Sequence, residues 1–136
     1  MALNYLLDAS VLKRLGDPAV RAAVDRLVEG GIGRASITDL EVGYSARTEA
    51  EWDRSHQILA SFGRVRTTAH HVTRALEVQR ALASKSQRGR SVPDLLVAAA
   101  AEQSGLTVLH YDADFDRIAA VTGQSVAWVV PRGSVD

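Results

Sequence analysis

The chain contains no cysteine, so disulfides, zinc–thiolate centres and thiol nucleophiles are all excluded. Oxygen and imidazole are then the only plausible metal ligands. It also lacks net charge: 16 Lys and Arg balance 16 Asp and Glu. A neutral chain exerts no global attraction on nucleic acid, so any such binding must come from a local basic patch. No apolar run approaches the roughly 18 residues that span a bilayer, and no basic n-region followed by an apolar h-region opens the chain. No membrane association and a cytoplasmic location are expected. There is no internal repeat, low-complexity tract or dividing linker. What is there, 136 residues of which 46% are hydrophobic and 24% charged, suits one ordered domain over 1–136 with a single core.

Short apolar runs alternate with helical periodicities. Residues 4–7, 32–37, 65–68, 106–109 and 126–130 read as strands. Asp17-Pro18 is a helix start, followed by Val20, Val24, Leu27 and Val28 at helical spacing and closed by Gly30-Gly31. Thr38 to Glu41 opens a helix running to about Arg47, and another is expected over 49–61. In the latter, Trp52, Leu59 and Phe62 serve either the core or a groove for a partner peptide. Val72, Ala75, Leu76, Gln79 and Leu82 mark a third. An Ala/Leu-rich helix over 93–103 stops at Gly105, and a short one covers 113–121. Strands alternating with helices predict an α/β fold: a three-layer, Rossmann-like sandwich with a central, mainly parallel sheet of about five strands.

Four acids stand at comparable places along this pattern. Asp8 closes the first strand, Glu41 and Asp94 fall in the first turns of helices, and Asp112 follows the fourth strand. In open parallel sheets ligands sit beyond the carboxyl ends of the strands, so all four could share one edge. Convergent carboxylates raise one another's pKa unless a cation is bound. Mg²⁺ or Mn²⁺ suits an oxygen-only site and would polarise phosphate and water, which points to metal-dependent hydrolysis of phosphate esters. Each acid also has an ordinary structural role open to it. Thr38-x-x-Glu41 has capping-box spacing, Asp94 would favour a helix start, Asp112 or Asp114 could make a turn, and Asp8 could cap the helix near Ser10. Two other functions therefore stay open: an aspartate-dependent phosphatase or phospho-receiver using Asp8 as nucleophile, and a non-catalytic acidic binding module. The first wants a second Asp where this chain has Ser10.

The segments LLDAS (6–10), ITDLEVGYSAR (37–47), VPDLLVAAAAE (92–102) and VLHYDADFDRIA (108–119) resemble the four acidic motifs of the PIN-domain family, and more narrowly those of the VapC toxins of bacterial toxin–antitoxin pairs. The resemblance implies a PIN fold and a Mg²⁺-dependent endoribonuclease, with tRNA or rRNA as substrate. It makes Asp8, Glu41, Asp94 and Asp112 the catalytic quartet. Asp8 and Asp94 would be direct metal ligands, with Glu41 and Asp112 acting through water or on a second ion. Asp114 matches an accessory acid, and Ser10 a hydroxyl residue that orients the site. The His110-Tyr111-Asp112 form departs from a commoner Thr-rich version. The resemblance also implies a homodimer and a VapB-type antitoxin that inserts a basic side chain into the acidic pocket, the complex binding operator DNA through the antitoxin.

Lys85, Arg88 and Arg90 precede the Asp94 helix and could hold RNA phosphates, or form a solvated loop; Arg34 and Arg47 are weaker candidates. His56, His70, His71 and His110 lack metal-ligand spacing and read as surface or boundary residues.

Overall fold

The structure, a computed structural model, describes residues 2–86 and 91–136. Among them, five strands form one parallel sheet: β1 (Tyr5–Leu7), β2 (Ile32–Ala35), β3 (Gly63–Val65), β4 (Thr107–His110) and β5 (Val126–Trp128), in the order β3-β2-β1-β4-β5. β1 lies centrally, with Leu6 in register with Gly33 on one side and Val108 on the other. The α/β sandwich with a parallel sheet matches the expectation. Parallel strands need crossovers, and these are supplied by α1 (Ala9–Leu12), α2 (Pro18–Leu27), α3 (Ser36–Tyr44), α4 (Glu49–Leu59), α5 (Ala69–Ser84), α6 (Val92–Ser104) and α7 (Asp114–Thr122).

Alternation along the strands splits the interior into two layers. Leu6 and Val108 face Val78 and Leu82 of α5, Leu95 and Val97 of α6, and Phe115 and Ile118 of α7. Their neighbours Leu7 and Leu109 face Val11 of α1 and Val20, Ala23 and Val24 of α2. The helices begin and end where local chemistry requires. Asp17 Oδ1 accepts from the amides of Ala19 (2.9 Å) and Val20 (3.4 Å) ahead of α2. Gly105, at φ +68°, closes α6 with two bonds, Leu106 N to Ala101 O (2.8 Å) and Gly105 N to Glu102 O (3.3 Å). That pairing is a Schellman motif, and its left-handed residue has no steric penalty only as glycine.

Two boundaries differ from expectation. The second strand ends at Ala35, and α3 starts at Ser36 with no side-chain cap, so Thr38 lies inside the helix and is buried. Thr38 and Glu41 therefore form no capping box, and Glu41 sits beyond the first turn. The third strand lies at 63–65, earlier than 65–68. Histidine placement differs too. His71 and His110 are buried: His71 completes a reciprocal cap with Thr68 at the start of α5 and meets Gln103, and His110 ends β4. For His71, polar partners inside the protein stand in for the water that a surface histidine would use.

Candidate active site

Asp8 ends β1 and caps α1, its Oδ2 accepting from the amide of Ser10 at 3.0 Å. Its other oxygen, Oδ1, is buried without a hydrogen-bond partner. The helix-capping role and a site role thus occupy different oxygens of one carboxylate. Ser10 Oγ accepts from the amide of Tyr111 at 2.9 Å, tying the ends of β1 and β4 together. Asp94 is the third residue of α6 and is only 5% exposed. Asp112 lies in the turn after β4, where its Oδ1 accepts from the amide of Asp114 at 2.9 Å. Glu41 projects from the middle of α3, with Oε1 buried and unpartnered.

Carboxylate oxygens of Asp94, Asp112 and Asp114 lie within 4.8 Å of one another. Asp114, expected as an accessory, therefore belongs to this close group, although Arg117 also reaches it at 3.0 Å. Asp8 and Glu41 stand beside the three and feel them electrostatically. Burial, then the charge of Asp8, then those of Asp112, Glu41 and Asp114 push Asp94 up to about 8. Burial and Asp8 push Glu41 up to about 7, against the opposing pull of Lys13. Burial raises Asp8 as well, with Asp112 adding to it and Ser10 resisting through its hydrogen bonds.

Burial and crowding make ionisation of Asp94, Glu41 and Asp8 costly without a nearby positive charge to offset it. The donors are all carboxylate oxygens, and two of them are enclosed with nothing to bond. A buried unpaired oxygen carries a desolvation penalty that a hard divalent cation would remove. The residues fit such an ion.

Among the basic candidates, Arg34 is committed internally: it binds Asp39 at 2.9 and 3.3 Å and the carbonyl of Phe62, which removes it from phosphate binding. Lys85 is exposed at the C-terminal end of α5. Arg88 and Arg90 lie outside the described residues. Sequence reasoning missed Lys13, which with Ile37, Leu40, Glu41, Tyr44 and Pro93 lines an open cleft of about 390 Å³. No local pattern marks it, because its approach to Glu41 depends on where the chain turns after the one-turn α1. Thr38, whose spacing from Glu41 left a capping box open, has its Oγ1 buried and unbonded instead.

The sequence profile described as PIN domain matches residues 5–121. Over the full length of both chains, the protein is 62% identical to ribonuclease VapC51 of Mycobacterium tuberculosis. The chain belongs to the PIN-domain family, in its VapC group. This PIN domain is also 44% identical to ribonuclease VapC21 of the same species, over 98% of this chain and 99% of that one. Two solved structures share the fold at 18% identity. They are a DNA-bound VapBC from Salmonella typhimurium (TM-score 0.77, 95% of this chain and 100% of that one) and VapBC2 from Rickettsia felis bound to a promoter DNA fragment (TM-score 0.76, 93% and 99%).

Proposed function

We propose that this VapC-group PIN domain is an endoribonuclease toxin that hydrolyses RNA phosphodiester bonds and is held in check by a VapB-type antitoxin. The observation that carries this reading is the meeting of Asp94, Asp112 and Asp114 beside Asp8 and Glu41 at one edge of a PIN sheet. The named relatives are ribonucleases, and PIN-domain nucleases generally use divalent metals. Asp8, Asp94, Asp112 and Asp114 would hold the ion, Mg²⁺ or Mn²⁺, with Asp8 and Asp94 as the deepest ligands. When bound, such an ion neutralises phosphate charge and polarises water and the leaving oxygen.

The chain's own part is positioning and proton handling. Ser10 locks Asp8 in place through its amide and braces the neighbouring strand through its hydroxyl. Glu41, outside the close group and facing the cleft, is suited to take the proton of the attacking water. As the water oxygen bonds to phosphorus, the bond to the 3′ oxygen breaks and that oxygen gains a proton. A 5′-phosphate and a 3′-hydroxyl result. Lys13 at the cleft, with Lys85, Arg88 and Arg90 ahead of α6, would hold the RNA backbone; a tRNA or an rRNA loop is the proposed substrate.

Partners follow the group. The solved relatives are toxin–antitoxin complexes, some bound to promoter DNA, which supports a VapB-type partner, a homodimer and a larger assembly on operator DNA. An apolar cleft lined by Leu12, Val42, Ile58 and Leu59 beside Lys13 suits an antitoxin segment, whose basic side chain would enter the acidic pocket.

Asp8→Asn and Asp94→Asn should abolish RNA cleavage and growth arrest while the far-UV dichroism stays native. EDTA should do the same to the unaltered protein. Full activity in EDTA, or a 2′,3′-cyclic phosphate product, would reject the mechanism.

A further inference from the structure

His110 takes no part in the chemistry above, yet it stands at the base of the turn that carries Asp112 and Asp114. The geometry points to His110 as a positioning residue: its Nδ1 anchors the backbone of Asp112 and so sets where two of the three closest acids stand. This rests on the metal-holding reading of those acids.

The imidazole ends β4 and is entirely enclosed, with Phe115 against one side (centroids 5.1 Å) and Trp128 against another (4.9 Å). The amide of Asp112 donates to Nδ1 at 3.2 Å. A backbone N–H can only donate, so Nδ1 must present its lone pair, and a neutral ring then carries its hydrogen on Nε2. Nε2 is buried with no hydrogen-bond partner. The anion facing it is Asp116, whose Oδ1 lies 3.9 Å away. The other oxygen of Asp116 accepts from Trp128 Nε1 at 3.0 Å. The indole therefore holds a carboxylate on the Nε2 side of the ring, which favours the tautomer that leaves Nδ1 bare.

The turn is built outward from that bond. Asp112 is fixed at its amide by His110, its carbonyl accepts from Phe115 N at 3.1 Å, and its carboxylate accepts from Asp114 N. Removing the Nδ1 acceptor leaves the Asp112 N–H without its partner and the turn free to shift. A shift of this kind moves both acids away from Asp94, which belongs to a different element. Groups that orient ligands in this way typically change metal affinity about 10–100-fold when lost.

Two polar replacements separate the anchor from simple filling of space. In His110→Asn the amide oxygen can take the place of Nδ1; in His110→Gln the amide reaches the place of Nε2 instead. Mn²⁺ binding to the purified full chain by calorimetry should be near wild type for the Asn variant and weaker by about tenfold or more for Gln. The Asp112 amide proton of the metal-free protein should keep its shift in Asn and move upfield in Gln. Cleavage by the Gln variant should recover as Mn²⁺ is raised, because the defect lies in ion affinity. Equal behaviour of the two variants would overturn the proposal, whether both are impaired or both normal. So would a wild-type imidazole ¹⁵N spectrum with the His110 proton on Nδ1, a check that needs no variant. Wild-type protein that binds no Mn²⁺ would overturn the metal reading instead, with the amide shifts still deciding the anchor.

Discussion

Asp94 shows most directly what one residue contributes. Its carboxyl group is pushed from an ordinary 3.8 up to about 8, chiefly by burial. The folded protein therefore holds this proton more tightly than the unfolded chain does. Stability of the metal-free form is then fullest below the ordinary carboxylate range and falls as pH rises towards about 8. Glu41, raised to about 7, acts in the same direction. In EDTA, Asp94→Asn should melt above the wild type at pH 8, with the gap closing towards pH 4, as followed by scanning fluorimetry. Added Mn²⁺ should raise the wild-type melting temperature more at pH 8 than at pH 6, because the ion displaces protons. Equal melting of both proteins at every pH would refute this account. At this scale Asp8, Asp94 and Asp112 were legible because each follows an apolar run or a proline that marks its place. His110 and Lys13 were not. Burial of a histidine depends on Trp128, Phe115 and Asp116 meeting around it, and a lysine's neighbours depend on how a one-turn helix bends.

Between residues and molecule lie the helices, and α3 with α4 is the informative pair. They approach closely at Gly43, where an added Cβ would lie 2.7 Å from Trp52 Nε1. Trp52 stacks on His56 at 3.6 Å, and His56 Nε2 lies 3.0 Å from the carbonyl oxygen of Asp39. α4 is part core and part surface: Leu59 is buried, as is Phe62 just beyond the helix, whereas Trp52 is exposed and Ile58 is 50% exposed beside the apolar cleft. Ile58→Asp should leave RNA cleavage intact and prevent neutralisation by the antitoxin, read by coexpression growth and by copurification. Retained neutralisation would move the partner elsewhere. The start of α3 was misplaced because Thr38 and Glu41 carry capping-box spacing by coincidence; tertiary packing of Thr38 overrode the local signal.

On the scale of the molecule, neutrality limits how RNA is held. If Lys13, Lys85, Arg88 and Arg90 hold the backbone as proposed, the slope of log affinity against log salt should be about −3 for a single strand. A slope beyond about −5 in filter binding would require a far wider basic face. The parallel sheet was legible from the alternation of apolar runs with helical spacings, but its order was not. Which strands flank β1 depends on crossovers such as α5 and α6, whose packing is settled by contacts distant in the chain. The spread of the acids along the chain has a consequence during synthesis. Asp8 stands at position 8 and the last of the close group at 114, so the acids meet only after most of the strands have been made. On the nuclease reading proposed above, a copy released before Asp112 and Asp114 are made would carry no complete group of acids and would spare the machinery that made it.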